Sequence, residues 1–185
     1  MDDVKRFLAI PLTSRPEIDD NKLFRELFGE PVDYKLERGM SYIIKEKRNE
    51  KGMDLFMKQI AEGYTGLYIT RHHPKHISKN YLTNGMTIIW LSTTLGTNYI
   101  DPHNLSTLFN TVKSFVEKNE KCVIFLDGIE YLMINNVYIR IVKLIEHVKE
   151  MMVNSNSILL VSLDERAFEP KELSLLEKGL KPIET

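Results

Sequence analysis

The sequence predicts an α/β fold, a mostly parallel sheet of about five strands with helices on both faces. Three observations lead there. The stretch Lys121-Cys-Val-Ile-Phe-Leu-Asp127-Gly128 is an unbroken apolar run that ends in a carboxylate. A second run, Ser157-Ile-Leu-Leu-Val-Ser-Leu-Asp164-Glu165, follows a long helical segment. Continuous apolar runs of this length are how strands read when a sheet is covered on both faces. The third observation is the alternation of strand and helix patterns along the chain, which parallel pairing with right-handed crossovers requires. Ligands of such sheets bind beyond the C-terminal strand ends, so the acidic residues closing the runs are the first candidates for a site.

Each element has its own signal. Ser41-Tyr-Ile-Ile-Lys-Glu46 reads as a strand. Met53 to Ala61 reads as a helix ended by Gly63. Gly66-Leu-Tyr-Ile-Thr-Arg71 and Thr87-Ile-Ile-Trp-Leu-Ser92 are further strands. Asp101-Pro102 gives a helix start, with the carboxylate as N-cap and proline at the first helical position. Leu105, Leu108, Phe109, Val112 and Val116 then recur at helical spacing. After Asn135-Asn136 a long helix is expected to about Met152. Val137, Ile141, Leu144, Ile145, Val148 and Met152 would form its buried face. Pro170 opens a last helix. Residues 1–33 are expected to form an N-terminal helical appendage and residues 34–185 the α/β domain. In the appendage, Leu23, Phe24, Leu27 and Phe28 share one helix face, which must dock on the domain or on another chain. They are the candidate interaction surface.

Composition bounds the function. The chain has 185 residues, 43% of them hydrophobic and 28% charged, enough for a core and a polar surface. A formal net charge of −1 argues against a general polyanion binder, so nucleic acid is not the expected partner. No apolar stretch approaches the roughly 20 residues that span a bilayer. The start lacks a secretory pattern, and a cytoplasmic location is expected. The single cysteine, Cys122, lies inside an apolar run and reads as a small buried hydrophobe.

The following residues, in this order, resemble the archaeal family named domain of unknown function 835. They are Tyr34-x-Leu36-Glu37-x-Gly39-x-Ser41-Tyr42, Lys45-Glu46, Gly66-Leu-Tyr-Ile-Thr-Arg71-x-x-Pro74, Trp90-Leu91-Ser92, Leu126-Asp127-Gly128-x-Glu130-Tyr131-Leu132 and Val161-Ser162-Leu163-Asp164. The resemblance covers about Tyr34 to Leu180. It implies a fold related to RecA/KaiC-type ATPases and implies no reaction. The strand ending at Asp127 is itself similar to the strand that holds Mg²⁺ in phosphate-loop NTPases. The G-x-x-x-x-G-K-[ST] motif that grips nucleotide phosphates is absent from the sequence. A P-loop-NTPase-like or RecA-like scaffold without its phosphate loop is therefore expected.

The candidate ligand cluster at the strand ends is Glu46, Arg71, Ser92, Asp127, Glu130 and Asp164. Asp127 would hold a hydrated cation, or cap the following turn. Glu130 would polarise a water, or pair with a basic neighbour. Arg71 would fork onto a phosphate or carboxylate, or join a network with Glu46, Asp127 or Asp164. His72, His73 and His76 lack the spacing of a metal site and read as a solvated loop, so neither a metal nor a cofactor is expected. The leading expectation is a non-catalytic regulatory or protein-interaction module with a protein partner or a second copy. The rivals are a divalent-metal nuclease or phosphohydrolase using the strand-edge carboxylates, and a nucleotide sensor without turnover.

Overall fold

A computed structural model describes residues 34–77, 85–96 and 98–183 of the chain. The strands are β1 (Ser41–Lys45), β2 (Thr65–Thr70), β3 (Met86–Leu91), β4 (Tyr99–Ile100), β5 (Cys122–Asp127), β6 (Ile158–Leu163) and β7 (Lys181–Ile183). The helices are α1 (Glu50–Ala61), α2 (Leu105–Lys118), α3 (Ile129–Asn135), α4 (Tyr138–Ser155) and α5 (Pro170–Glu177). Among the described residues every strand pairing is parallel, in the order β4-β3-β2-β5-β6-β1-β7. The expected α/β class and parallel sheet are present, with seven strands in place of about five. The two extra strands, β4 and β7, span two and three residues, too short to show a period. Pro182 sits in β7, at the sheet edge, where a missing N–H is tolerated.

The connections set the layers. The crossover from β1 to β2 runs one way along the sheet, while those into β5, β6 and β7 run the other way. With a common hand, this places α1 on one face and α2 to α5 on the opposite face. The core divides accordingly. Ile43, Leu67, Ile69, Ile124, Leu126, Leu159 and Val161 face α2 to α5 and pack with Leu108, Val112, Ile141, Ile145 and Met152. Tyr42, Ile44, Tyr68, Val123, Phe125, Ile158 and Leu160 face α1 and pack with Met53, Leu55 and Phe56. β5 and β6 are thus buried on both faces, as their continuous apolar runs predict. Cys122 is fully buried in this core, and burial pushes its thiol pKa up.

The α1 face is unusually aromatic. Phe125 stacks on Tyr68 with ring centres 5.2 Å apart and lies 5.6 Å from Phe56. Gly52 lets α1 settle onto this cluster, because a Cβ there would lie 2.7 Å from the Phe125 ring.

Two local readings differ. α2 begins at Leu105 with Asn104 as its cap, whose Oδ1 accepts the Thr107 N–H at 3.0 Å. Asp101 instead closes a short turn on the His103 N–H at 2.9 Å. The long helix expected after Asn135-Asn136 is present as α4, and a short helix that sequence reasoning did not name, α3, precedes it up to Asn136, whose Nδ2 donates to the carbonyls of Pro102 and Leu132. Val137 then precedes α4 and is 68% exposed, so it is not part of the buried face. The expectations for residues 1–33, including the face formed by Leu23, Phe24, Leu27 and Phe28, lie outside the described residues.

Asp54 on α1 yields a prediction. Burial, with the charge of Glu50 one turn away adding to it, raises its carboxyl from the ordinary 3.8 to about 6. The folded state therefore favours the proton. Its contribution is full below about pH 4 and is lost as pH rises through about 6. Asp54→Asn should raise the urea midpoint over wild type at about pH 7.5, and the gap should vanish at about pH 4. An equal gap at both pH values would contradict this assignment.

Candidate functional site

The strands all point the same way, so their C-terminal ends share one edge. Register then aligns Thr70 of β2, Asp127 of β5 and Ser162 of β6 in one row across adjacent strands. Side chains alternate along a strand, so this row lies on the α1 face with Tyr68 and Phe125. Tyr68, Thr70 and Ser162 are 1%, 0% and 3% exposed. Buried polar groups at that level need partners, and they find them in two carboxylates.

The first is Asp127. Its Oδ2 accepts hydrogen bonds from Asn49 Nδ2 at 2.8 Å, the Tyr68 hydroxyl at 3.0 Å and the Thr70 hydroxyl at 3.0 Å. The Tyr68 oxygen also accepts from Asn49 Nδ2 at 2.7 Å, and the Thr70 oxygen accepts from the His72 N–H at 3.0 Å. Asp127 is therefore no turn cap, and its Oδ2 is fully committed within the chain. It ties β5 to β2 and to the loop after β1. Burial, reinforced by the Asp127 charge, pushes the Tyr68 hydroxyl far above the ordinary tyrosine range and keeps it a donor.

The second is Glu46. Its Oε1 accepts from the Ser162 hydroxyl at 2.7 Å and the Gly52 N–H at 3.1 Å, and its Oε2 accepts from the Lys51 N–H at 2.9 Å. Those amides belong to the first turn of α1, where helices have unpaired N–H groups and attract anions. Asn49, at the N-cap position, makes no side-chain cap bond, since its amide is committed to Tyr68 and Asp127. The chain thus caps α1 with a carboxylate from the end of the preceding strand. Burial raises the Glu46 pKa, the bonds from Ser162, Lys51 and Gly52 oppose that, and the Asp127 charge adds to it.

Glu130 and Asp164 are held at the other side of the row. Glu130 Oε1 accepts the Asp164 N–H at 2.7 Å, joining the start of α3 to the end of β6. Asp164 is bridged by Arg166, with Nε to Oδ1 at 2.8 Å, which holds its carboxyl down at about 2. Between β5 and α3 the backbone turns at Gly128, with φ of +140°, where a Cβ would press within 3.3 Å of the Arg71 amide and Leu91.

These residues surround a cleft of about 580 Å³ lined by the β1–α1 loop and the ends of β2, β5 and β6. Neighbouring strands β1 and β6 send their connections in opposite directions here, the arrangement that opens a crevice at the edge of a parallel sheet. Of the six residues that sequence singles out, Glu46, Arg71, Asp127, Glu130 and Asp164 line this cleft. Ser92 does not. It is buried at the end of β3, where its hydroxyl accepts the Thr94 N–H at 2.9 Å and closes a turn. Arg71 is exposed, and its guanidinium makes no hydrogen bond or ion pair among the described residues. The expected network with Glu46, Asp127 or Asp164 is not formed.

Asn49, Tyr68 and Thr70 are parts of the site that sequence reasoning did not propose. Tyr68 and Thr70 were findable, since they precede Arg71 at even spacing in an otherwise apolar strand. Asn49 had no signal, because its role depends on a contact 78 residues away. His73 caps the short turn Pro74–His76 and its ring lies 4.5 Å from Trp90, whose indole donates to the Arg71 carbonyl at 3.1 Å. No group of three or more His, Cys, Asp or Glu side chains among the described residues is placed to hold a metal ion. Near the cleft, Lys45 pairs with Glu165 and Glu177, and Arg48 with Glu50.

The Asp127 cluster can be tested by coupling. Asp127→Ala leaves buried donors without an acceptor, and about 3 kcal/mol or more of destabilisation is expected in denaturant titration. Tyr68→Phe alone should cost about 1–2 kcal/mol. In the Asp127→Ala background it should cost nothing or restore stability, a coupling that additive, independent sites would not give.

A family model described as "Protein of unknown function (DUF835)" matches residues 45–180. No curated protein matches the sequence. The matched span runs from the end of β1 through α5 and includes every residue of the cleft. The chain therefore belongs to the DUF835 family of proteins of unknown function.

Proposed function

We propose that this protein is a non-catalytic regulatory or protein-interaction module, archaeal and cytoplasmic, on a RecA/KaiC-like scaffold that has replaced its phosphate grip with a side chain of its own. One observation carries the reading. The amides that open α1, which follows β1 through a strand–loop–helix turn, are taken by the Glu46 carboxylate. In a phosphate-loop enzyme the corresponding turn presents its N–H groups and a lysine to the nucleotide. Here the helix N-terminus already holds an anion, and a phosphate could reach it only by displacing Glu46.

The interaction half of the reading rests on the surface. Ile134, Val137 and Ile139 are 82%, 68% and 50% exposed and fall together where α3 passes into α4. Clustered large apolar side chains on a surface mark contact sites more often than isolated ones do. A metal-dependent nuclease or phosphohydrolase would need open carboxylate oxygens. Both oxygens of Glu46 and of Asp164 are engaged within the chain, which leaves such a reaction one oxygen each on Asp127 and Glu130.

The test is direct. The full-length protein should hydrolyse neither ATP nor GTP, with or without Mg²⁺, and nucleotide should not raise its melting temperature. Glu46→Ala should gain stabilisation by inorganic phosphate at about 10 mM, because the freed amides can accept an external anion. Glu46→Gln, which keeps an acceptor over the helix, should gain none. Nucleotide hydrolysis by the wild-type chain that Asp127→Asn abolishes would sink the reading.

A further inference from the structure

We infer that the strand-edge cleft binds a zwitterion, a free α-amino acid whose carboxylate is forked by Arg71 and whose ammonium is taken by Asp127 and Glu130. The inference comes from asking which charges around the cleft are already satisfied. Glu46 uses both oxygens on Ser162 and the α1 amides, and Asp164 uses both on Arg166. Asp127 uses Oδ2 for three donors, and Glu130 uses Oε1 for the Asp164 amide. Four groups are left over among the described residues. They are Asp127 Oδ1, Glu130 Oε2, the whole Arg71 guanidinium and the Lys47 ammonium, a second cation able to face the ligand's carboxylate.

The leftover groups have opposite signs and belong to one cavity. A guanidinium offers a planar fork that matches a carboxylate. Two carboxylate oxygens are acceptors for an ammonium, which carries three donors. A ligand with one anionic and one cationic head answers both, and an α-amino acid is the smallest common molecule with that pair on one carbon. Charge argues against the alternatives. Five carboxylates line the cleft (Glu46, Glu50, Asp127, Glu130 and Asp164) against three permanent cations, Lys47, Arg48 and Arg71. A nucleoside triphosphate would bring further negative charge to a wall that is already net negative. A simple amine would leave Arg71 unmatched. The cleft volume, about 580 Å³, leaves room for a side chain beyond the two heads.

The inference rests on the reading of the edge as a site without turnover, and the two fail differently. Hydrolysis of nucleotide would overturn that reading, whereas the ligand assignment is tested by binding alone. The full-length chain would be titrated calorimetrically with each of the common free amino acids, and with the N-acetyl and carboxamide derivatives of any that bind. At least one amino acid should bind, and each derivative should bind about tenfold or more weakly, since each removes one charged contact. Arg71→Gln should lower affinity for the amino acid while leaving the carboxamide's unchanged. Glu130→Gln keeps the acceptor for the Asp164 amide and should weaken only ligands with a free ammonium. Binding indifferent to N-acetylation, binding unaffected by Arg71→Gln, no binding by any amino acid, or binding of nucleotide in their place would each overturn the assignment.

Discussion

The contact on which the rest of the strand edge depends is the Glu46 carboxylate over the first amides of α1. Removing a carboxylate from water costs several kcal/mol unless partners replace the hydration. Glu46 draws its partners from two elements, the Ser162 hydroxyl of β6 and the Lys51 and Gly52 amides of α1, where the helix dipole also favours negative charge. The contact fixes where α1 begins and how closely it lies on the sheet. That closeness brings Gly52 against Phe125 and seats Phe56 beside Tyr68 and Phe125. A polar contact at the edge and an aromatic core beneath it are thus one arrangement.

Asp127 depends on that arrangement in turn. The loop that Glu46 holds also carries Asn49, whose amide reaches both Tyr68 and Asp127. The Asp127 charge adds to the rise in the Glu46 pKa that burial causes. The structure separates their donors. Glu46 is served by helix amides and β6, and Asp127 by β2 and Asn49. The four acidic strand-end residues that the rival metal-enzyme reading draws on assemble no group placed to hold a metal ion among the described residues.

How much of this was legible follows from where the information lies. The parallel sheet was readable because strands covered on both faces show unbroken apolar runs, as in β5 and β6. The meeting of Glu46, Arg71, Asp127, Glu130 and Asp164 was also readable, since parallel strands deliver their ends to one edge. What each residue does there was not. Whether Asp127 faces a ligand, a turn or Tyr68 is decided by the Thr70–Asp127 register, a property of pairing and not of either strand. The Glu46 cap was hidden because the usual signal is a side chain at the cap position itself, and Asn49 stands there with another task. β4 and β7 were missed for a simpler reason, since strands of two and three residues carry no periodicity.

The contrast between the floor and the rim of the cleft bears on what kind of protein this is. Catalysis by a side chain requires that its interactions strengthen between ground and transition state. Tyr68, Thr70, Ser162 and Glu46 are saturated with intramolecular bonds, so none has capacity to respond to charge developing on a substrate. The groups with capacity stand at the rim, where Arg71 is exposed and each of Asp127 and Glu130 keeps one oxygen free. A rigid, self-satisfied floor beneath a few unsatisfied rim groups favours holding a ligand over transforming it. The same floor joins β2, β5, β6 and the β1–α1 loop, and a ligand held by Arg71, Asp127 and Glu130 would contact the ends of β2 and β5 and the start of α3. Occupancy would stiffen that junction without any group changing its partner, which is how a binding module transmits the presence of its ligand.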